Sequence, residues 1–408
     1  MNAMQRAALL AVTFLSAGAA QAEPLTLEQA IRQSVEGSPQ ETANAARIDT
    51  LEAARAAADT KPAATIDGMV ENIGTGGFSQ FQVDATYNQR IERGGKREAR
   101  VDLVEGEIGI VRAETIVRRL DLAKRVQELY VEAQTAELNV ELARNRVEIA
   151  AQLEKEVKRR VDDARDPLFA GTRARTELEQ AKVDLELAEH AAEAAKSRLA
   201  LLIGSGSAES LDVSTEGFLD LAPANVAPDA FAAPDLAVYE ARSRRADANV
   251  RLQDANARTD PTVFAGPRYL GTGDVALIAG VSLPLQNRAL NQANRDRAAA
   301  EARQIEADLA VERFQRRQEI ALAAEKVEEA RHEADAIRLR VVPGAEQTLR
   351  EVLAGYKRGG FTFLDVSTAQ SALHDARVRM VEAIFEYHRA KVDLDRLTGR
   401  FANLVGGN

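Results

Sequence analysis

The chain has 408 residues, a formal net charge of −10, only 4% aromatic residues, and neither cysteine nor tryptophan. The lack of cysteine excludes disulfides, and the acidic balance argues against a nucleic-acid partner, because binding to phosphates needs clustered lysine and arginine. Long runs rich in alanine, glutamate, arginine, leucine and valine predict extended helices that pack side by side.

The N-terminal residues have the pattern of an export signal. Arg6 precedes a short apolar core at residues 7–18, and residues 20–22 (AQA) have the small-x-small pattern of a cleavage site. We therefore expect residues 1–22 to be a signal peptide. The core is too short to span a membrane, and no later stretch of the sequence approaches the ~18–20 apolar residues that a spanning helix needs. Contact with a membrane would therefore depend on strands or surface patches.

A β-hairpin is predicted at residues 63–91, around a glycine-rich turn at residues 74–77. Its second strand has one apolar and one polar face, because apolar and polar residues alternate along it. The apolar positions are Phe81, Val83, Ala85 and Tyr87. After Gly95 the period changes to a heptad, which predicts a long helix at residues 95–163 and a return helix at residues 168–203.

The return helix carries a stripe of small and apolar residues, spaced alternately by three and four, and the same stripe recurs 195 residues later. The first stripe consists of Gly171, Ala174, Leu178, Ala181, Leu185, Ala188, Ala192, Ala195, Leu199 and Leu202. The second consists of Val366, Ala369, Leu373, Ala376, Met380, Ala383, Tyr387, Ala390, Leu394 and Leu397. The preceding long helices match at an offset of 194, so one residue is added between the two matches. The chain is therefore predicted to be a duplicated unit of helix, two strands, long helix and return helix.

The predicted boundaries follow from this duplication. The first unit covers residues 23–203, a glycine-, serine- and proline-rich linker covers residues 204–233, the second unit covers residues 234–399, and a tail covers residues 400–408. Within the second unit we expect a hairpin at residues 262–286, a long helix at residues 289–358 kinked at Pro343, and a return helix at residues 365–398. The fold class is mainly α with a small β part.

The four predicted strands have an apolar face that the helices are not free to cover, because the helices use their stripes on one another. Strands of about ten residues match the length of a transmembrane β-strand. A sheet in lipid must close, and the smallest such barrels have about eight strands. Two chains would supply eight strands and three would supply twelve. A lumen that conducts solutes favours twelve, but the pattern alone leaves both open.

The segments Leu25–Pro39 (LTLEQAIRQSVEGSP) and Gly355–Gly399, together with the duplication, resemble the TolC-like outer membrane efflux proteins. Residues 90–100 (RIERGGKREAR) are similar to the branch that serves cobalt–zinc–cadmium resistance pumps. The resemblance implies a homotrimeric, non-enzymatic duct with no cofactor, whose helices form an α-barrel in the periplasm and whose strands form a β-barrel in outer-membrane lipid. It also implies two partners, a periplasmic adaptor protein and an inner-membrane pump of the resistance-nodulation-division type.

The resemblance places the functional positions at the two turns where the long helices reverse. These turns would form a closed periplasmic tip that meets the adaptor, with Asp166, Pro167, Gly359, Gly360 and Phe361 as candidate contact residues.

Asp365 matches an acidic residue that faces the narrow aperture in the family, so three copies would form an anionic ring that filters cations. The alternative is that Asp365 is the N-cap of a helix that starts at Val366. Ala170 stands at the corresponding place in the first unit, and Thr368 stands where the family often has a second acid, so any ring is sparse.

The expected function is passage of divalent heavy-metal cations from the periplasm to the outside. A duct for drug efflux or type I protein secretion would have the same fold. A soluble periplasmic coiled-coil scaffold is a different class, and it leaves the apolar strand faces unexplained. The four histidines lie in predicted helices and no nucleophile–base pair is visible, so we expect neither a metal site nor an enzyme.

Overall fold

The computed structural model describes residues 24–74, 77–205, 211–227 and 230–406. The predicted signal peptide and part of the predicted linker lie outside the described residues. The helices are α1 Leu27–Glu36, α2 Pro39–Ala58, α3 Lys96–Asp162, α4 Leu168–Ile203, α5 Ala233–Asn256, α6 Arg288–Ala336, α7 Val342–Lys357, α8 Phe363–Thr398 and α9 Ala402–Val405. The strands are β1 Thr65–Glu71, β2 Gln82–Arg90, β3 Thr262–Leu270 and β4 Val275–Ser282.

The described chain is mainly helical, with long helices and one four-stranded antiparallel sheet, which confirms the predicted fold class. Helix α3 alone has 67 residues, so it extends about 100 Å at 1.5 Å per residue. None of the helices in the described part of the chain is long and apolar enough to cross a membrane.

The two return helices, α4 and α8, both have 36 residues and both end at a glycine in the left-handed conformation. Gly204 has φ 73° and Gly399 has φ 69°, values that glycine adopts without the Cβ strain of other residues. The same stop signal therefore ends the corresponding helix in each half of the chain.

A π-helical turn at Ile337–Val341 joins α6 to α7. It lies immediately before Pro343, which has no N–H to donate and whose ring would clash with the carbonyl one turn back in a regular α-helix. Ile337, the first residue of the turn, and Val342, which follows it, are buried in a core that also contains Leu349 and Leu373. The long helix formed by α6, the π-helical turn and α7 thus continues through Pro343, and its buried side still faces α8.

The sheet has the order β1-β2-β3-β4, and its register gives it an apolar face and a polar face. The polar face carries Asp67, Asp84, Thr86 and Arg268, with Met69, Phe264 and Ile278 among them. The apolar face consists of Ile66, Val70, Val83, Ala85, Tyr87, Val263, Ala265, Tyr269, Val275, Leu277, Ala279 and Val281. Leu277 is 81% exposed and Val275 is 73% exposed, so no described segment of the chain covers this face. On the polar face Arg268 Nε donates to Asp84 Oδ1 at 2.7 Å across the β2–β3 pair.

Residues 211–227 of the predicted linker lie against the middle of the helices. Phe218 is 2% exposed, and its ring stacks on His388 of α8 with centroids 4.3 Å apart. Backbone carbonyls of this segment accept hydrogen bonds from helix side chains, including Tyr387 Oη to the carbonyl of Ala222 at 2.8 Å. Gln134 of α3 also donates to the carbonyl of Ser214 at 2.6 Å, so the linker contacts helices of both halves.

Candidate functional site

The turn between α3 and α4 is built by backbone hydrogen bonds at the end of α3. The N–H of Arg165 donates to the carbonyl of Arg160 at 2.8 Å, and Ala164 has φ 55°, the left-handed conformation that closes many helix ends. Pro167 then stands at the N-cap of α4, where its fixed φ suits the extended backbone. The short reversal brings Asp166 back beside the last turn of α3.

Asp166 lies at the centre of a buried cluster rather than at the surface. Arg160 Nε and Nη2 donate to its two carboxylate oxygens at 3.0 and 3.2 Å, and Tyr356 Oη of α7 donates to Oδ2. Arg160 also donates to the carbonyl of Tyr356 at 3.0 Å and lies over the tyrosine ring at 4.3 Å from its centroid. Arg160 is 8% exposed and Tyr356 is 1% exposed. This cluster joins the α3–α4 turn to α7.

The cluster shifts the acidity of its members. The hydrogen bonds from Arg160 hold the pKa of the Asp166 carboxyl below its ordinary value. Burial raises the pKa of the Tyr356 hydroxyl, and the hydrogen bond to Asp166 raises it further. At neutral pH the carboxylate is therefore charged and the phenol is protonated, which is the state that makes all these contacts.

The turn between α7 and α8 depends on glycine at two positions. Gly359 has φ 82°, and no atom lies within 4 Å of the position that a Cβ would occupy, so the turn is open to solvent there. A Cβ on Gly355 would lie only 2.1 Å from a ring carbon of Phe361, so that ring packs directly on the glycine. The N–H of Gly360 donates to the carbonyl of Gly355 at 2.9 Å, which closes the turn.

Asp365 belongs to the first turn of α8. The N-cap of α8 is Thr362, so the expectation that Asp365 caps a helix starting at Val366 is wrong. Thr362 and Asp365 form a capping box, in which Thr362 N donates to Asp365 Oδ2 at 2.8 Å and Asp365 N donates to Thr362 Oγ1 at 3.3 Å. These bonds from Thr362 lower the pKa of Asp365, whose side chain is exposed. The carboxylate is thus charged and accessible at the tip.

The tip also carries exposed apolar residues that the sequence patterns did not single out. Leu168 is 82% exposed, Phe169 69%, Leu364 53% and Phe361 46%. They lie at the starts of the two return helices and in the turn before α8, beside the predicted contact residues. Helical spacing does not predict that these residues are exposed, because the face on which a first-turn residue lies is defined only once the N-cap of the helix is known.

No group of three or more histidine, cysteine, aspartate or glutamate residues in the described chain could hold a metal ion. His388 is half-buried against Phe218, and this partial burial lowers its pKa. Burial also lowers the pKa of His374. Both histidines belong to helix packing.

Comparison with known proteins gives consistent results. The protein family described as outer membrane efflux protein matches residues 30–205 and 264–400. The chain is 29% identical over 385 residues to the cobalt-zinc-cadmium resistance protein CzcC of Cupriavidus metallidurans, covering 93% of this chain and 91% of CzcC. It is also 29% identical over 294 residues to the nickel and cobalt resistance protein CnrC of the same organism, covering 67% and 68%.

Among solved structures, the fold is similar to the outer membrane protein VceC of Vibrio cholerae. The TM-score is 0.67 at 18% identity, and the match covers 94% of this chain and 96% of VceC. At this identity the likeness concerns the fold.

Proposed function

The chain belongs to the outer membrane efflux protein family, and on that basis we propose that it is the exit duct of a tripartite efflux system of the resistance-nodulation-division type. The family membership expected from the sequence is confirmed. The proposed cargo is divalent heavy-metal cations, which would pass from the periplasm to the outside. The similarity to CzcC over nearly the whole of both chains supports this cargo.

One observation carries the duct proposal. The sheet has an exposed apolar face on one side and a charged, hydrogen-bonded face on the other, and it continues directly into a helix of 67 residues. In a closed barrel the apolar face would meet lipid and the polar face would line a water-filled lumen. Four strands cannot close alone, so we propose a trimer with twelve strands and a tube of helices below them.

We propose that the two turns form the periplasmic tip and meet an adaptor protein. The exposed apolar side chains of Leu168, Phe169, Phe361 and Leu364 support this, because clustered apolar residues at a surface favour a protein partner. Asp166 would act from within, by holding the α3–α4 turn against α7, whereas Pro167 and Gly359 to Phe361 would face the adaptor. An inner-membrane pump would drive transport, since the duct itself has no energy source.

We further propose that Asp365 lines the narrow end of the tube. Three exposed carboxylates around one axis would attract cations and repel anions, as charged rings do in channels. The capping box holds each carboxylate in one position and favours its charged form.

The test is growth of a strain that lacks the gene, across graded cobalt, zinc, cadmium, nickel and copper, with a panel of hydrophobic drugs alongside. We expect sensitivity to some of the metals only, restored by the wild-type gene. Sensitivity to drugs alone would retain the duct and reject the metal cargo. A matched complementation with the Gly359→Pro gene should fail, because the tip could no longer form its turn.

A further inference from the structure

The junction between the strands and the long helices carries a surplus of positive charge. We define the junction as residues 59–61, 90–100, 258–260 and 283–288. It contains eight lysine and arginine residues against four aspartate and glutamate residues, a surplus of four in a chain whose net charge is −10. The surplus is therefore local, and it lies where both pairs of strands end.

Half of these cations are held by the carboxylates of the junction. Asp260 is 2% exposed, and its Oδ2 pairs with Arg90 Nη2 and with Lys96 Nζ, each at 2.7 Å. Arg100 pairs with Glu92 at 2.5 Å, and Arg97 pairs with Asp59 at 3.3 Å. These pairs fasten the strand ends to α3 and leave Glu98 as the one carboxylate of the junction outside the ion pairs of the described chain.

The other four cations, Lys61, Arg93, Arg258 and Arg288, are exposed. Within the described residues their side chains form neither a hydrogen bond nor an ion pair. Their backbones are nevertheless fixed at the junction. The N–H of Arg93 donates to Asp260 at 3.0 Å, and the carbonyl of Arg258 accepts from Lys96 at 2.8 Å.

Lys61 and Arg288 are positioned by their neighbours. Thr60 and Pro62, on either side of Lys61, accept hydrogen bonds from Arg100 and Gln89, both at 3.2 Å. Gln286, two residues before Arg288, donates to the carbonyl of Ala257, which precedes Arg258. The four free cations therefore lie at one level of the molecule.

The apolar surface of the sheet continues to this level. Ile91 is 44% exposed, Leu283 58% and Leu285 96%, and all three lie within three residues of the end of a strand. The apolar surface that continues from the sheet thus meets unpaired cations at this level. An apolar surface followed by basic residues matches the edge of a bilayer, where the hydrocarbon core is followed by the lipid headgroups. Basic residues at that level attract anionic lipids.

We propose that Lys61, Arg93, Arg258 and Arg288 form a collar that binds the anionic headgroups of phospholipids in the periplasmic leaflet of the outer membrane. The inference rests on the proposed function, because it requires the strands to span that membrane. Three of the four are arginines, whose planar guanidinium can donate two parallel hydrogen bonds to one phosphate. The collar would fix the depth of the trimer in the membrane and leave the paired cations to hold the fold.

The absence of tryptophan from the chain makes a local fluorescence test possible. Ile91→Trp places a single reporter at the collar, and Leu277→Trp places one in the middle of the apolar face. Each full-length mature trimer is reconstituted into phosphatidylcholine vesicles that contain brominated phosphatidylglycerol or brominated phosphatidylcholine. Brominated chains quench tryptophan on contact, so the two quenching curves give the relative binding constant of the two lipids beside each reporter.

We expect phosphatidylglycerol to bind beside Trp at position 91 at least about five-fold more tightly than phosphatidylcholine, the effect of about one cation at a membrane surface. The preference should decline as salt is added. Replacing all four collar residues with Gln should bring the ratio near one, whereas Lys at the three arginine positions should preserve it. The matched control replaces four other exposed cations with Gln, namely Arg244, Arg303, Arg313 and Lys326, all of which lie on helices.

Three outcomes would overturn the inference. Equal binding of the two lipids at position 91, with strong quenching at position 277, would reject the collar and leave the proposed duct intact. A preference that survives the four Gln substitutions would reject these residues as its cause. No quenching at position 277 by either lipid would reject the membrane placement of the strands, and the proposed function with it. Heat-induced dissociation of each trimer verifies that the variants are folded.

Discussion

Asp166→Asn removes one negative charge from the buried cluster at the tip while it keeps the shape of the side chain. The Arg160 and Asp166 side chains are 10% and 11% exposed, so the change leaves a buried guanidinium without its carboxylate. Breaking such a pair typically costs about 3–5 kcal/mol. Arg160 keeps its hydrogen bond to the carbonyl of Tyr356 and its contact with the ring, so we expect a value near the lower end, about 3 kcal/mol.

A loss of this size should increase local opening of the tip on the order of 100-fold. Hydrogen–deuterium exchange measures it directly, in peptides that cover residues 155–170 and 350–362, with peptides from the sheet as an internal reference. Asp163→Asn is the matched control, since Asp163 is exposed three residues away. An Asp166→Asn tip that exchanges within about threefold of the wild-type rate would refute the reasoning. Equal acceleration in the sheet would show a global effect instead.

The same cluster predicts a dependence on pH. The folded-state pKa of Asp166 is below its ordinary value of about 3.9, so the stabilisation is present above that value and is lost as pH falls through the folded pKa. Protection of the wild-type tip, corrected for intrinsic exchange, should be constant from pH 7 to about 5 and decrease below about 4. The Asp166→Asn tip should lack this decrease.

Three further outcomes are expected. Asp365→Asn should reduce the cation selectivity of single channels in planar bilayers without changing assembly. Asp375→Asn, at an exposed position on the same helix, should leave the selectivity unchanged. Equal selectivity of the two variants would reject the ring. Gly359→Pro should abolish adaptor binding in a pull-down with the sheet intact, because φ 82° is inaccessible to proline, and retained binding would contradict this. Asp260→Asn should destabilise the folded chain by about 3 kcal/mol, because Arg90 and Lys96 lose their shared carboxylate. Thermal unfolding should show a lower midpoint than for exposed Asp254→Asn, and equal midpoints would contradict this.

The fold could be predicted from the sequence because its signals are local and repeated. Alternation along residues 83–87 defines strand faces that the register of the sheet bears out, whereas Phe81, predicted on the same face, lies just before the strand. The three–four spacing in the two return helices identifies both as long helices. Gly204 and Gly399 then end them. Each of these signals requires only neighbours within one turn or one strand.

The positions of the two helix reversals could be predicted from the sequence, but the contacts that build them could not. The contact of Arg160 with Tyr356 joins residues 196 positions apart, and nothing in either local segment indicates it. The predicted start of α8, residue 365, is two residues too late, because Thr362 and Asp365 are both good capping residues. The structure selects Thr362, since this choice places Phe363 in the core with Tyr356 and Val366. Burial of one aromatic ring decides a boundary that cap preference leaves open.

The π-helical turn has a consequence for how the two halves diverged. One residue added to an α-helix rotates every later side chain by about 100° around the axis, which would turn the buried side of α7 away from α8. The second half contains such an extra residue, since its offset from the first changes from 194 to 195 between residues 337 and 366. A π turn has space for one more residue than an α turn, so residues 337–341 can absorb the insertion where it arose. The two copies thus differ by one residue in this helix, and the widened turn keeps the buried residues before and after it in one core with α8.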